Sequence, residues 1–209
     1  LNTTGASNFA AGYNALGANT TGGSNVGIGF RALQANTTAS NNTAIGTGCF
    51  QSNTTATGNT GVGINVGLYN TTGYALTGMG QSALGNNTTG HSNSAFGYQA
   101  LYDNTTGHSN VAVGINALAN NTTGGESTAI GQQAGLANTT GRITAVGRHA
   151  VKTNTTGTST TGVGYRALRD STGANNTALG NDAGYQISSG QSNTLIGSEA
   201  GNNMTSGNY

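Results

Sequence analysis

A glycine preceded by an apolar residue returns along the whole chain every seventeen residues, and the interval shortens to sixteen only twice. These marker glycines are Gly12, Gly29, Gly46, Gly63, Gly80, Gly97, Gly114, Gly131, Gly147, Gly164, Gly180 and Gly197. A fixed period of this length predicts a solenoid, because so small a unit has to stack on its neighbours to bury its apolar side chains. Residues 1–209 are therefore expected to form one repetitive array. Since both ends fall within a repeat, we expect a segment of a longer fibre protein.

The composition excludes several classes of partner. Only 5% of the residues are charged and the net charge is +1, so we expect no binding of nucleic acid and no capture by an anionic membrane. No stretch has the length of a membrane span, so no membrane insertion is expected. The 37 glycines and the absence of proline would also suit a disordered chain. Disorder, however, gives no reason for apolar residues to stay in phase over twelve repeats.

Three columns of the repeat are apolar. The residue before each marker glycine is apolar throughout, as in Ile28 and Val113, and the residue before that is nearly always alanine or glycine. Three residues after the glycine the chain carries alanine, replaced once by Cys49 and once by Val66. Leucine commonly follows this alanine. Where the following residue is Gly67, Gly135 or Gly184 instead, an apolar residue comes next, which suggests that the anchor has moved one place along.

These runs are short, β-branched and bounded by glycine, which favours strands over helices. We predict an all-β fold, a parallel β-solenoid of about twelve seventeen-residue rungs, each with two short strands and two turns. Twelve rungs would span about 58 Å. The marker glycine is expected at a corner with positive φ. The two shortened rungs lose their residue in turns, one at Arg142 and the other at positions 170–173.

The large apolar column and the small column beside it point to opposite faces of each predicted strand, and both avoid polar residues, so both faces are expected to be buried. One thin coil, however, has only one interior. We therefore predict a homo-oligomer in which identical chains pack around a common axis, with the small residues permitting close approach. The alternative is that alanine and glycine are merely tolerated on an exposed face.

An Asn-Thr-Thr turn recurs in ten intact copies. They begin at Asn2, Asn19, Asn36, Asn53, Asn70, Asn87, Asn104, Asn121, Asn138 and Asn154. Stacked asparagines can bond from rung to rung as a ladder. Each copy is also an acceptor sequence for N-linked glycosylation, so a row of sugars is the competing interpretation.

Stacked threonines raise a further possibility, a ligand-binding solenoid that uses threonine and asparagine columns to bind ice or polysaccharide. The turn column comprises Thr20, Thr37, Thr54, Thr71, Thr88, Thr105, Thr122 and Thr139. The strand column comprises Thr43, Thr60, Thr128, Thr144, Thr161, Thr177 and Thr194, and it is interrupted by Phe9, Val26, Ser94 and Val111.

Enzymatic chemistry is not expected. The five carboxylates are scattered, the three histidines form no metal-ligand set, and the single Cys49 is expected to be an inert core residue. No cofactor or metal is predicted. One local charge feature stands out, since Arg148, Lys152, Arg166 and Arg169 lie close together in the repeat. They could form a ligand patch for acidic surface glycans, or a solvated rim partly balanced by Asp170.

The motifs Asn-Thr-Ala-Ile-Gly, Tyr-Gln-Ala-Leu and Asn-Thr-Thr-Gly, best seen over Asn93–Gly107, resemble repeats of phage tail-fibre proteins and large bacterial surface adhesins. They are similar, more loosely, to the Ala-Ile-Gly repeats in the heads of trimeric autotransporter adhesins. The resemblance implies a homotrimeric shaft or adhesive head outside the cell or on a virion. We accordingly expect an extracellular structural or adhesive fibre whose principal partner is itself.

Overall fold

A computed structural model describes residues 2–207 of the chain, and within them twelve short strands form one parallel sheet. The strands follow one another in chain order from one end of the sheet to the other, so the chain is a β-solenoid, as predicted. Their bounds are β1 Phe9–Ala11, β2 Val26–Ile28, β3 Thr43–Ile45, β4 Thr60–Val62, β5 Thr77–Met79, β6 Ser94–Phe96, β7 Val111–Val113, β8 Thr128–Ile130, β9 Ile143–Val146, β10 Thr160–Val163, β11 Thr177–Leu179 and β12 Thr194–Ile196. Leu1 and positions 208–209 of the predicted array lie outside the described residues.

The strand register confirms the seventeen-residue period and its two exceptions. Val111 of β7 pairs with Thr128 of β8, seventeen residues on, whereas Thr128 pairs with Thr144 of β9, sixteen residues on. The second sixteen-residue step joins Thr161 of β10 to Thr177 of β11. Because both missing residues come from the turns, equivalent strand residues remain aligned along the solenoid.

The marker glycines end the strands in the predicted backbone conformation. All twelve have φ between 117° and 143°, a region that residues with a side chain rarely adopt. A Cβ atom on Gly97 would also lie 2.6 Å from the carbonyl oxygen of Gly114 in the next rung. Backbone conformation and the close approach of neighbouring rungs therefore both require glycine at this corner.

The prediction of two strands per rung is wrong, because the alanine–leucine segment forms a turn. Leu33, Leu101 and Leu168 all have φ of 51°, which is left-handed rather than extended. This conformation costs roughly 1–2 kcal/mol for a residue with a Cβ, but burying a leucine side chain contributes about 1.5–3 kcal/mol. All three leucines are fully buried, so burial offsets the strain.

The suggestion that the apolar anchor moves along the chain is also wrong. At Gly67, φ is 53°, the same left-handed turn that leucine adopts in other rungs, and the following Leu68 remains partly exposed. The ring of Phe50 in the preceding rung fills the vacant space, since a Cβ on Gly67 would lie 2.3 Å from its Cε1 atom. A larger side chain in an adjacent rung thus replaces the missing leucine.

The interior of the solenoid contains the small strand residues and the alanine–leucine turns. The middle residue of most strands is fully buried, as are the turn alanine and the leucine that follows it. Ala44 in β3, for example, is fully buried, whereas its neighbour Ile45 is 37% exposed. The small column therefore faces the core of the chain itself, not a neighbouring chain as the oligomer prediction assumed.

Candidate functional site

The outer face of the sheet carries two parallel files of side chains. One file contains the first strand residue of most rungs, mainly threonine, and the other contains the apolar residue before the marker glycine. Members of the apolar file range from half-buried to largely exposed, with Met79 at 50% and Ile196 at 70%. The large apolar column therefore lies on the surface of the single chain, on the face opposite to the small column.

A second exposed apolar file follows the marker glycine. Tyr13, Phe30, Ile64, Tyr98, Ile115 and Tyr165 occupy this file, and all are exposed. The rings of Tyr13 and Phe30 stack across neighbouring rungs with centroids 5.5 Å apart. We call the two files on either side of the marker glycines the apolar edge of the solenoid. The first file is apolar along the whole sheet, whereas the second file is polar at six of its twelve positions: Thr47, Gln81, Gln132, Arg148, Asn181 and Ser198.

The asparagines of the Asn-Thr-Thr turns lie inside the solenoid and bond from rung to rung. The side-chain Nδ2 atom of Asn36 donates to Oδ1 of Asn19 over 2.8 Å and to the carbonyl oxygen of Ala39 in its own turn over 3.1 Å. The same pattern links Asn2 through to Asn138, and we call it the amide ladder. From Asn19 to Asn154 these asparagines are buried, whereas Asn2 is exposed.

A sugar on one of the buried asparagines would occupy the atom that makes these bonds. N-linked glycosylation substitutes the side-chain nitrogen, and in Asn87 both donated bonds come from that nitrogen. The side chain is also fully buried. In this fold a glycan at an internal turn is therefore incompatible with a closed amide ladder.

Sequence analysis did not single out a second buried column of asparagines directly before the strands. Asn42 accepts a bond from the backbone nitrogen of Asn59 in the next rung over 2.9 Å, and its own Nδ2 donates to the carbonyl of Ala56 over 2.9 Å. Leu76, Ser127, Ile143 and Thr160 replace asparagine in this column. These replacements weaken the sequence signal, but asparagine still precedes most strands, and this recurrence could have revealed the column.

The two threonines of each turn have different environments. The hydroxyl of Thr88 donates to the carbonyl oxygen of Thr105 in the next rung over 2.9 Å, and the equivalent bond recurs throughout the turn column considered for ice binding. These first threonines are only partly accessible, whereas the second threonine of each turn is exposed. The strand threonines, on the outer face of the sheet, are half-buried to exposed.

The four basic residues of the predicted ligand patch lie on two consecutive rungs, but they have different environments. Arg166 forms two hydrogen bonds, of 2.7 and 2.8 Å, with the carboxylate of Asp182 in the next rung. Arg169 donates a hydrogen bond to the hydroxyl of Tyr185 and lies 3.7 Å from Asp170. Within residues 2–207, neither Arg148 nor Lys152 forms an ion pair.

The same region concentrates positive potential on His149. Burial is the main factor that lowers the pKa of this imidazole, and the charges of Lys152, Arg148, Arg169 and Arg166 lower it further. Four cations therefore act electrostatically on one side chain, which lies between Arg148 and Lys152 in the chain. We call Arg148, His149, Lys152, Arg166 and Arg169 the basic cluster.

Cys49 and the histidines at positions 91 and 108 lie outside the basic cluster. Cys49 is fully buried, and burial raises the pKa of its thiol to about 12, so the thiolate is scarce at neutral pH. The rings of Tyr74, His91 and His108 stack on successive rungs, with centroids 4.8 and 5.2 Å apart. Among residues 2–207 there is no group of three side chains suited to holding a metal ion.

No helix in the described part of the chain is long and apolar enough to cross a membrane. No family model, curated protein or solved structure matches the chain.

Proposed function

We propose that this chain is a structural segment of an extracellular fibre, on a cell surface or a virion, in which copies associate along the apolar edge. The observation that carries the proposal is the exposure of that edge along a sheet of twelve strands in uninterrupted register. Monomeric proteins rarely expose large contiguous apolar surfaces, and such surfaces mark interaction sites. The proposed role is mechanical, to hold or form an attachment element at a distance from the surface.

The dimensions of the edge suit an interface between identical chains. Twelve rungs at about 4.8 Å span about 58 Å, and two flanks of about 7 Å each offer on the order of 800 Å² per chain. One partner in a stable interface of standard size contributes about 800 Å². A partner must also repeat at the rung spacing to fit along the whole edge, and another copy of this chain does so.

The geometry of the edge favours a closed ring over a face-to-face pair. The two flanks meet at the marker glycine, where the backbone turns, so each chain can present one flank to one neighbour and the second flank to another. Three such chains around a common axis would cover both flanks of every copy. The resemblance to trimeric fibre and adhesin repeats also supports an assembly of three chains. The proposal assigns the chain neither a catalytic step nor a cofactor.

Replacing Ile45 and Ile130 together by lysine tests the proposal. Both side chains lie on the first flank of the edge and are about 40% exposed, so the lysines can reach solvent in the single chain and will leave its fold intact. The matched control replaces Thr38 and Thr123, exposed turn residues five positions before the same two strands, by lysine. Light scattering after size exclusion should show a trimer for the wild type and the control, and a monomer for Ile45→Lys/Ile130→Lys. A monomeric wild type at micromolar concentration would refute the proposal.

Ice binding is the second candidate, and the outward direction of the strand threonines favours it. Thr43 and Thr60 pair directly in the parallel sheet, and this threonine file lies beside the apolar file on one face. A repetitive face of hydroxyl and methyl groups suits an ordered water lattice. Thermal hysteresis with shaped ice crystals would support this candidate. The candidate is wrong if the Thr43→Lys/Thr60→Lys variant affects ice growth in the same way as the wild type.

A further inference from the structure

Positive charge in this chain is concentrated at one place on the solenoid. Four of the six lysines and arginines lie between positions 148 and 169. Together with Asp170 and Asp182, they leave the basic cluster with a net charge of +2, which exceeds the net charge of +1 of the whole chain. The remainder of the solenoid is therefore slightly acidic, and an anionic polymer would be attracted to these two rungs rather than to the rod as a whole.

The cations of the cluster divide into two classes. Arg166 and Arg169 are bound to side chains of their own or the neighbouring rung, as described above, and their guanidinium groups also lie 4.7 and 5.1 Å from the centre of the Tyr185 ring. Arg148 is exposed, and Lys152 is partly exposed. Since these two have no carboxylate partner within residues 2–207, their charges remain available to a ligand.

We propose that Arg148, His149 and Lys152 bind the anionic groups of an acidic polysaccharide. A carboxylate or sulfate group placed over His149 would accept charge-assisted hydrogen bonds from the arginine and the lysine on either side. Lys152 and Arg169 share one column on successive rungs, so the positive potential extends along the fibre axis. A linear polymer with regularly spaced acidic groups can follow that direction. Arg148 directly follows Gly147 and so lies in the second file of the apolar edge, which the proposed self-association would cover. The site is therefore assigned to the single chain.

The aromatic residues of the cluster favour a polysaccharide over a nucleic acid. Single-stranded nucleic acids are held largely by bases that stack on free aromatic faces. The ring of Tyr165 has the guanidinium groups of Arg148 and Arg166 over it, 5.8 and 4.7 Å from its centre, and the ring of Tyr185 is covered by Arg166 and Arg169. These rings are already covered, whereas no side chain within residues 2–207 accepts a hydrogen bond from the charged group of Arg148 or Lys152.

His149 provides a measurement at the site itself. Burial and then the surrounding cations lower the pKa of His149, so a bound anion, which offsets the cations, should raise this pKa towards its ordinary value. A two-dimensional NMR titration of the imidazole, with and without heparin or alginate oligosaccharides, measures this change. His91 and His108 lie outside the cluster and serve as internal references.

The columns of the repeat supply matched variants for the binding test. Arg148→Gln introduces the residue that Gln132 provides in the preceding rung, and Lys152→Gln introduces the residue that Gln34 provides in the same column. Both changes should therefore preserve the fold. The control Arg31→Gln/Arg142→Gln removes two positive charges outside the cluster, so the two double variants have the same net charge.

We expect Arg148→Gln/Lys152→Gln to bind heparin or alginate oligosaccharides at least about tenfold more weakly than the wild type, and the control to bind as the wild type does. A neutral glucan should not bind. The proposal is overturned if the two double variants lose affinity equally, because net charge alone would then explain binding. It is also overturned if neither acidic polysaccharide binds, if the pKa of His149 does not change, or if a single-stranded oligonucleotide binds more tightly. Binding is measured in the Ile45→Lys/Ile130→Lys background, in which the apolar edge is not covered, so these outcomes do not depend on self-association.

Discussion

Replacing Asn87 by alanine should destabilise the solenoid more than replacing Asn104 by alanine, although the two side chains make equivalent ladder bonds. Asn87 donates to Oδ1 of Asn70 over 2.8 Å and to the carbonyl of Gly90 over 2.9 Å, and it accepts from Asn104 over 2.7 Å. Asn104 makes the same three kinds of bond one rung later. The difference lies in the turn carbonyl. The Gly107 carbonyl also accepts from Asn93 over 2.8 Å, whereas Leu76 occupies the position from which asparagine would reach the Gly90 carbonyl.

The expected magnitudes follow from these bonds. Each variant loses three hydrogen bonds, with a net contribution of about 1 kcal/mol each, so Asn104→Ala should lower the free energy of unfolding by about 3 kcal/mol. Asn87→Ala additionally leaves a buried carbonyl without its only donor among residues 2–207, which costs a further 1–3 kcal/mol or so. Guanidinium unfolding monitored by circular dichroism gives the overall values. Because repeat proteins also open locally, amide exchange at the affected rungs should accompany it.

Equal losses in the two variants would refute this reasoning, and so would a larger loss in Asn104→Ala. The substitution Leu76→Asn provides a rescue, since it restores the residue that Asn59 and Asn93 supply in the flanking rungs. In the Asn87→Ala background it should return a donor to the Gly90 carbonyl. The difference between the two alanine variants in lost free energy of unfolding should then become smaller. A gap that stays unchanged in the double variant would show that the turn carbonyl is not its cause.

Three further outcomes are expected. Gly97→Ala should destabilise the chain by about 2 kcal/mol or more in thermal unfolding, because φ is 139° and the new Cβ would lie 2.6 Å from a carbonyl oxygen. The control Gly27→Ala introduces the residue most common in its own column and should be nearly neutral. Cys49 should resist thiol reagents at pH 8 until the chain unfolds. Its folded pKa of about 12 exceeds the unfolded value of 9.0, so the associated stability is present below pH 9 and is lost as the pH rises towards 12. Secreted from a host that glycosylates, the folded chain should show by intact mass no glycan at internal turns such as Asn36, and occupancy there would contradict the buried ladder.

The fold could be predicted from the sequence because a fixed period aligns equivalent residues along a solenoid. The marker glycines, the parallel register and the two shortened rungs followed from spacing alone. Which strand face lies inside did not follow, because the large apolar column and the small column on opposite faces both avoid polar residues. The decisive quantity is volume. The space between the sheet and the alanine–leucine turns accommodates Ala44, whereas Ile45 lies outside.

The second strand of each rung was mispredicted for a different reason. Leucine has little intrinsic preference for positive φ, so a sequence pattern of alanine followed by leucine gives no sign of a left-handed turn. The turn exists because stacking buries the leucine completely, as at Leu84 with φ of 57°. Tertiary burial therefore overrides a local preference that sequence reasoning had to follow.

Column alignment located the basic cluster but not its internal pairing. Arg166 and Asp182 are sixteen residues apart, so they share a column only after the deletion at positions 170–173 is taken into account. The sequence could have revealed this pair. The contact between Arg169 and Tyr185 depends on the rotamers of two long side chains, and no spacing rule supplies those.

Arg166 and Arg169 make their contacts with neighbouring side chains close to the point where the amide ladder ends. Oδ1 of Asn138 has no hydrogen-bond partner within the described part of the chain, and Oδ1 of Asn154 accepts from the backbone of Gly157 in its own turn. Ser171 then occupies the ladder column. From this point the arginines make side-chain contacts between rungs, to Asp182 and Tyr185. These contacts connect rungs that the amide ladder no longer joins, where Asn176 of the second asparagine column still donates to the Gly190 carbonyl in the next rung. Loss of Arg166 should therefore loosen the local rungs, whereas loss of Lys152 should leave amide exchange unchanged and affect only the proposed ligand binding.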